Sequence, residues 1–224
     1  MYGKKLLVPS LIAVVGLAAA IAVIATADPT REAMPAGVPE MKLPEGWTEA
    51  DMQACMLAGM PGPMHEHLAK GIGEWHGTCT MWMVPGAEPT QSESTAVVSS
   101  MMDGRYVKTK WSGEMPGMGA YNGFGINGFD NVSQKFVAVW LDNHSTGLMT
   151  GTGELSADGK TLTWTFNFNC PVTKKPAVMR EVETITGPDA KTLEMFSTDP
   201  KTGKEFKMMS IAMTRKPAEA QPKM

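Results

Sequence analysis

GAYNGFGINGFDNVSQKFVAVWLDNHSTG, residues Gly119 to Gly147, holds two strand patterns on either side of a turn. The first is punctuated by glycine, and the second is dense in apolar side chains. Phe129-Asp130-Asn131-Val132-Ser133-Gln134 joins them. Gly123-x-Gly125-x-x-Gly128 spells the dinucleotide-binding fingerprint, but that fingerprint needs a helix N-terminus to hold a pyrophosphate. An aromatic strand follows instead, so the glycines read as places where a strand bends around a barrel.

Outward from this hairpin the same grammar continues. Apolar and polar residues alternate over about 74–84, 91–102, 105–112, 119–129, 135–142, 148–155, 161–170, 177–186, 192–198 and 205–215. Turn formers separate them: Asp103-Gly104, Asp158-Gly159, Gly187-Pro188-Asp189 and Asp199 to Gly203. In the seventh strand Leu162, Trp164, Phe166, Phe168 and Cys170 share one face, and Thr161, Thr163, Thr165, Asn167 and Asn169 share the other. The fifth is apolar on both faces, so its outer side calls for a cover, and the N-terminal helices are the candidates. Short links favour neighbouring strands, and about ten of them rarely stay in one flat open sheet. The expected fold is all-β: an antiparallel, up-and-down β-barrel with short N-terminal helices, closed because closure removes exposed edges.

The segments before the barrel have other tasks. Lys4-Lys5 precede an uncharged apolar run, Leu6 to Ala27, that ends on Ala25-Thr26-Ala27. Residues 1–27 therefore read as a cleaved signal peptide, with an uncleaved membrane anchor as the alternative. Either places the rest outside the cytoplasm, and no Cys near the cut supports a lipoprotein. Residues 28–46, rich in Pro, Ala and Glu, read as a flexible linker. Residues 47–73 read as a helical preface: a capping box at Thr48-Glu49-Ala50-Asp51, a stop at Gly59, a break at Pro61 and Pro63, and a second short helix from about Met64 to Lys70. Residues 74–215 read as the barrel domain, and 216–224 as a disordered tail.

The 224-residue chain has 43% hydrophobic residues, enough for a buried core, and a formal charge of −3. Loss of Lys4 and Lys5 from the 20 basic residues would leave 18 against 23 acidic ones, or −5. No basic stripe occurs, which argues against a nucleic-acid partner. The 20 methionines suit pliable core filling. Cys55, Cys79 and Cys170 leave one thiol over whichever two pair; Cys79 with Cys170 is the expected pair, since both fall in strand patterns, and an all-reduced, buried set is the alternative.

A series of short motifs carries a family resemblance. It runs from His65-x-x-Leu68 and Gly73-x-Trp75 through Met81-Trp82, Pro85 to Pro89, Gly104-Arg105, Gly123-x-Gly125-x-x-Gly128-Phe129-Asp130 and Trp140-x-Asp142. It continues through Met179-Arg180 and Lys204 to Met209 and closes on Thr214-Arg215. The order of these motifs resembles domain of unknown function 1579. Phe129, Ser210 and Met213 depart from the family's usual Tyr, Glu and Tyr. The resemblance implies a lipocalin-like barrel and no established activity, so no catalytic residue follows from it. Calycin barrels, which this arrangement also resembles, pair a Gly-x-Trp on the first strand with an Arg on the last. Trp75 and Arg215 fit those positions as a structural cation–π pair worth roughly 0.5–2 kcal/mol.

Three functions remain open to the residues. The leading one is binding of a small, largely apolar ligand inside the barrel. Tyr121, Trp111, Trp140, Asp142, Trp164, Phe166 and Phe168 would form its wall, and Arg105 or Arg180 would meet an anion. The second is metal binding outside the cytoplasm by His65 and His67 with Asp142 or His144, a donor set that would suit zinc. Cys55, Met56, Met60, Met64, His65 and His67 form a softer set that would suit Cu(I), set against helix docking by the methionines. Haem would need an inward histidine, whereas His76 alternates with Trp75 and His144 lies in a loop. The third is an enzyme of unknown reaction: no Gly-x-Ser-x-Gly elbow is present, and Glu181 and Glu183 read as a solvated exterior pair. Asn131-x-Ser133 and Asn143-x-Ser145 match the glycosylation pattern by chance.

Overall fold

The structure, a computed structural model, describes residues 43–217. The signal-like run, most of the linker and most of the tail lie outside the described residues. The described residues fall into two units that part after Gly59. In the first, helix α1 (Glu49–Ala58) starts as its capping box predicts: Thr48 Oγ1 accepts from the Asp51 N–H at 3.2 Å, and the Asp51 carboxylate accepts from the Thr48 N–H at 2.8 Å. No described helix is long and apolar enough to cross a membrane.

The second unit holds α2 (Pro63–Ala69) and ten strands: β1 (Gly73–Met81), β2 (Thr90–Met101), β3 (Tyr106–Met115), β4 (Gly119–Asp130), β5 (Lys135–Asp142), β6 (Met149–Leu155), β7 (Thr161–Asn169), β8 (Pro176–Gly187), β9 (Ala190–Thr198) and β10 (Glu205–Arg215). Each pairs antiparallel with its neighbours in sequence, and β1 pairs with β10 to close the barrel. The opening hairpin is β4–β5, with Gly125 opposite Trp140.

That register explains the glycines. A Cβ on Gly123 would lie 2.2 Å from Trp140 Cζ2, and one on Gly125 would lie 2.8 Å from Cε3. The indole therefore lies flat across two residues that have no side chain. The arrangement repeats next door, where Gly153 and Gly151 of β6 face Trp164 and Phe166 of β7. Large rings curve into the interior only where the facing strand leaves room.

The barrel has two unlike ends. At one end lie the start of β1, the end of β10, the β2–β3, β4–β5, β6–β7 and β8–β9 turns, and α2, which packs against β3 and β4. Leu68 and His65 of α2 are buried there; His65 meets the edge of Phe129 and His67 the edge of Phe136. The far end carries the longer loops 82–89, 143–148, 170–175 and 199–204.

α2 thus plugs an end and does not cover the outer side of β5, as the apolar pattern of that strand suggested. On that outer side Val137 and Val139 are half-buried and Leu141 is 41% exposed. The expected disulfide is also absent. All three cysteines are free, and β1 and β7 are separated in the sheet by β10, β9 and β8, so Cys79 and Cys170 are not brought together.

Candidate functional site in the barrel interior

The interior holds a cavity of about 870 Å³. Ten strands enclose more space than their inward side chains fill, unlike the smallest barrels. One wall is aromatic: Trp111, Tyr121 and Trp140, from three successive strands. Another is rich in sulfur. Met81, Met209 and Met195 stand side by side on β1, β10 and β9, with Met179 nearby on β8.

The rim of the far end is a hydrogen-bonded chain. Trp140 Nε1 donates to the Tyr121 hydroxyl at 3.1 Å, and that hydroxyl donates to Asp142 Oδ2 at 3.3 Å. Asp142 Oδ1 accepts from the His144 backbone N–H at 2.9 Å. The His144 ring stacks on Tyr121 at 5.7 Å, and its Nε2 donates to the Ala120 carbonyl at 3.1 Å. Burial first, and then the Asp142 charge, push the Tyr121 phenol above its ordinary range, so it stays a neutral donor.

Nearer the α2 end, β8 turns two carboxyls inward. Glu181 stands opposite Trp164 and Met195, and Glu183 opposite Leu162 and Leu193, all on the inner face. Glu183 has a partner, since Lys191 Nζ lies 2.8 Å from its Oε1 with its ammonium 4.7 Å above the Trp75 ring. Glu181 has no hydrogen-bond or ion-pair partner among the described residues, and the surface it keeps faces the cavity. Burial, reinforced by the Glu183 charge and opposed by Lys191, pushes its pKa up from 4.5 to about 8.

The same fold and cavity frame a family assignment, because the family described as "Protein of unknown function (DUF1579)" matches residues 60–215. The chain belongs to that family. The matched span takes in α2 and every strand of this DUF1579 barrel. Among solved structures it is similar to Rv2717c from M. tuberculosis, with 13% identity, a TM-score of 0.52, and coverage of 70% of this chain and 99% of that one. It is also similar to the S-type phycobiliprotein lyase CPES from Guillardia theta, with 10% identity, a TM-score of 0.49, and coverage of 70% and 94%. At 13% identity the likeness to Rv2717c is one of fold alone. No curated protein matches the chain.

Of the residues singled out from the sequence, Tyr121, Trp111, Trp140 and Asp142 of this DUF1579 barrel line the cavity together. Phe166 and Phe168 line it too. Trp164 is 1% exposed and packed against Phe166 and Phe136, so it supports the wall from within the core. The two arginines do not enter the barrel. Arg180 lies on the outer face over the Phe196 ring at 3.9 Å, with Nε and Nη2 donating to the two oxygens of Glu205. Arg105 sits in the β2–β3 turn, 3.9 Å from Asp103, with Nη1 donating to the Met102 carbonyl. Strand alternation sends Arg180 outward because Met179 and Glu181 point in.

The set of His65 and His67 with Asp142 or His144 is not assembled. No three His, Cys, Asp or Glu side chains converge among the described residues. His65 and His67 sit at the α2 end, where His67 touches Phe136, while Asp142 lies six residues further along β5, about 20 Å away at strand rise. His144 lies beyond it. His65 Nδ1 is engaged by the Gly62 N–H at 3.0 Å, closing the start of α2, and burial lowers the His67 pKa. His76 is exposed on the outer face of β1.

Trp75 and Arg215 form the expected stack, with the guanidinium carbon 4.2 Å from the ring centre. Arg215 also uses its donors as a plug: Nη2 meets the Lys70 carbonyl at 2.8 Å, Nη1 the Ile72 carbonyl, and Nε Asp189 at 3.0 Å. Trp75 Nε1 donates to the Gly71 carbonyl at 2.9 Å. These are carbonyls at and just past the end of α2, which a helix leaves without internal partners.

The pair missed by the sequence reading is Glu181 and Glu183. In PAVMREVETITG, period-two alternation places Val178 and Val182 on one face and Ala177, Met179, Glu181 and Glu183 on the other. Valines argue for turning the first face inward. The register that pairs Met179 with Phe166, inward by the β7 pattern, turns the second face in, and nothing within β8 itself signals it.

Proposed function

We propose that the protein binds a small, largely apolar molecule inside its barrel. The observation that carries the reading is the cavity of about 870 Å³, walled by aromatic and methionine side chains with a few polar groups placed among them. Pockets for small organic ligands have this size and this mixture. In this reading the ligand passes the longer loops of the far end, where Met83, Met118, Leu148 and Val172 are exposed, and the Trp75–Arg215 plug keeps the other end shut. N-phenyl-1-naphthylamine, a neutral dye that brightens in apolar surroundings, tests it directly. Saturable binding of one dye per chain, lost when Val107→Trp fills the interior, is expected. Unsaturable or absent binding overturns the reading, and native mass spectrometry of protein from its own host would weigh the natural occupant.

The same reading puts the protein outside the cytoplasm, on the strength of Lys4-Lys5 and the Leu6–Ala27 run. Fractionation with N-terminal sequencing tests this. A mature chain starting at Asp28 in the exported fraction supports it, and an intact N-terminus in the cytosol overturns it.

A further inference from the structure

The polar groups of the interior are unevenly signed. Its carboxyls are Asp142 and the exposed Glu114 towards the far end, and Glu181 and Glu183 below. Of the lysines that line it, Lys191 is held by Glu183, while Lys70 and Lys160 are exposed at the α2 end. Arg215 is turned to Asp189 and to backbone carbonyls, and Arg180 and Arg105 lie outside. An anionic headgroup deep in the cavity would therefore meet Glu181 and Glu183, with Lys191 already engaged.

Glu181 is the decisive residue. It is deeply placed, has no partner among the described residues, and borders an apolar cavity rather than water. A buried carboxyl in that position is costly to ionise unless a cation joins it. The groups that face it are Glu183 on its own strand, Lys191 across β9, and Tyr121 on the opposite wall, whose phenol feels the Glu181 charge. The flanking residues Trp164 and Met195 are uncharged. Lys191 cannot serve both glutamates equally, because its ammonium is fixed between Glu183 and the Trp75 face.

We propose that the cavity selects apolar molecules that carry a protonated amine, and that the ammonium group docks on the Glu181 carboxyl. This inference rests on the barrel being a ligand site. The apolar body of the ligand lies against the methionine and tryptophan walls, both of which suit a polarisable chain or ring near a cation. With no ligand a proton occupies Glu181 at neutral pH, and the ammonium takes over its role. Amine binding is then coupled to the release of that proton to solvent.

The test uses the purified chain and four ten-carbon probes: decylamine, decanol, sodium decanoate and its methyl ester, methyl decanoate, each displacing N-phenyl-1-naphthylamine. Decylamine is expected to bind at least about tenfold more tightly than decanol at pH 8, and decanoate weakest of the three. Between pH 6 and pH 8 the affinity for decylamine should rise more than about tenfold as Glu181 gives up its proton, while decanol stays flat. Titration calorimetry in buffers of different ionisation enthalpy should show close to one proton released per decylamine at pH 7. Glu181→Gln should abolish the preference for the amine, and Glu205→Gln, on the outer face, should leave it intact. Decylamine binding no tighter than decanol, or without pH dependence in the wild-type chain, overturns the proposal even if the variant fails to fold. Tighter binding of methyl decanoate than of decylamine also overturns it, since Glu181 would then be donating to a neutral acceptor. If the dye itself does not bind, the barrel reading fails first, and the two failures are told apart.

Discussion

The two ends of the barrel are built from similar materials and to opposite effect. At the α2 end an indole, a guanidinium and an acid come together, and every donor nitrogen has a partner: Trp75 on Gly71, and Arg215 on Lys70, Ile72 and Asp189. At the far end an indole, a phenol, an acid and a histidine also come together, but on a rim open to solvent, where His144 is exposed and the loops carry bare methionines. The first assembly is anchored in backbone carbonyls, the second mainly in side chains. Backbone anchors make a fixed plug, whereas side-chain chains can re-form around a guest. Between them sits Glu181, which neither end satisfies.

Truncating the two tryptophans is the strongest way to break this comparison. Trp75→Ala should cost about 3–5 kcal/mol in urea unfolding, as large-to-small core changes do. Trp140→Ala should cost clearly less while weakening dye binding more. Equal losses of stability at the two positions would mean that the far end is as structural as the plug.

Next in size is the pH dependence contributed by Glu181. Its folded pKa of about 8 lies above its ordinary 4.5, so its contribution to stability is intact below pH 4.5 and is lost as pH rises through about 8. The loss should amount to a few kcal/mol. Glu181→Gln removes it, so wild type minus variant should decline across that window. A difference that is flat with pH would show Glu181 to be solvated. The low-pH losses from Asp130, Asp158 and Asp199, whose pKa values are lowered by hydrogen bonds within their turns, occur in both proteins and cancel in the difference.

Gly123→Ala should destabilise by about 1–3 kcal/mol, because its methyl must displace the Trp140 ring. Most of that cost should vanish in a Trp140→Ala background, and a cost that persists would place the strain in the backbone instead. Tyr121→Phe removes one acceptor and one donor from the rim and should cost about 1 kcal/mol, read as a small drop in thermal midpoint. The smallest effect is on reactivity alone. Exposed Cys55 should react with iodoacetamide, as should Cys170, whose pKa is lowered by hydrogen bonds from Thr173. Cys79, buried with its pKa raised, should lag behind both, and mass spectrometry should find no Cys79–Cys170 bridge.

Much of this was legible beforehand. The Thr/aromatic alternation of β7 gave its facing directly, and the glycine-spaced β4 followed by an aromatic strand gave a barrel hairpin rather than a nucleotide loop. Tyr121, Trp111, Trp140 and Asp142 could be grouped because they are aromatic or polar residues on three successive strands, β3, β4 and β5. β8 could not be read so simply, because two valines and two glutamates compete for the interior and local hydrophobicity favours the valines. Register with β7 overrode that preference. Arg180 went outward and Glu181 inward for the same reason, which reverses the sign of the headgroup that the cavity would accept.

Sequence alone therefore determined the strands, their order and the closure, since those depend on alternation and turn chemistry spanning a few residues. Only the tertiary structure decided which charged groups meet. That depends on pairings between distant segments, which set His65 and His67 about 20 Å from Asp142. It also left one carboxyl, Glu181, facing an apolar cavity without a partner.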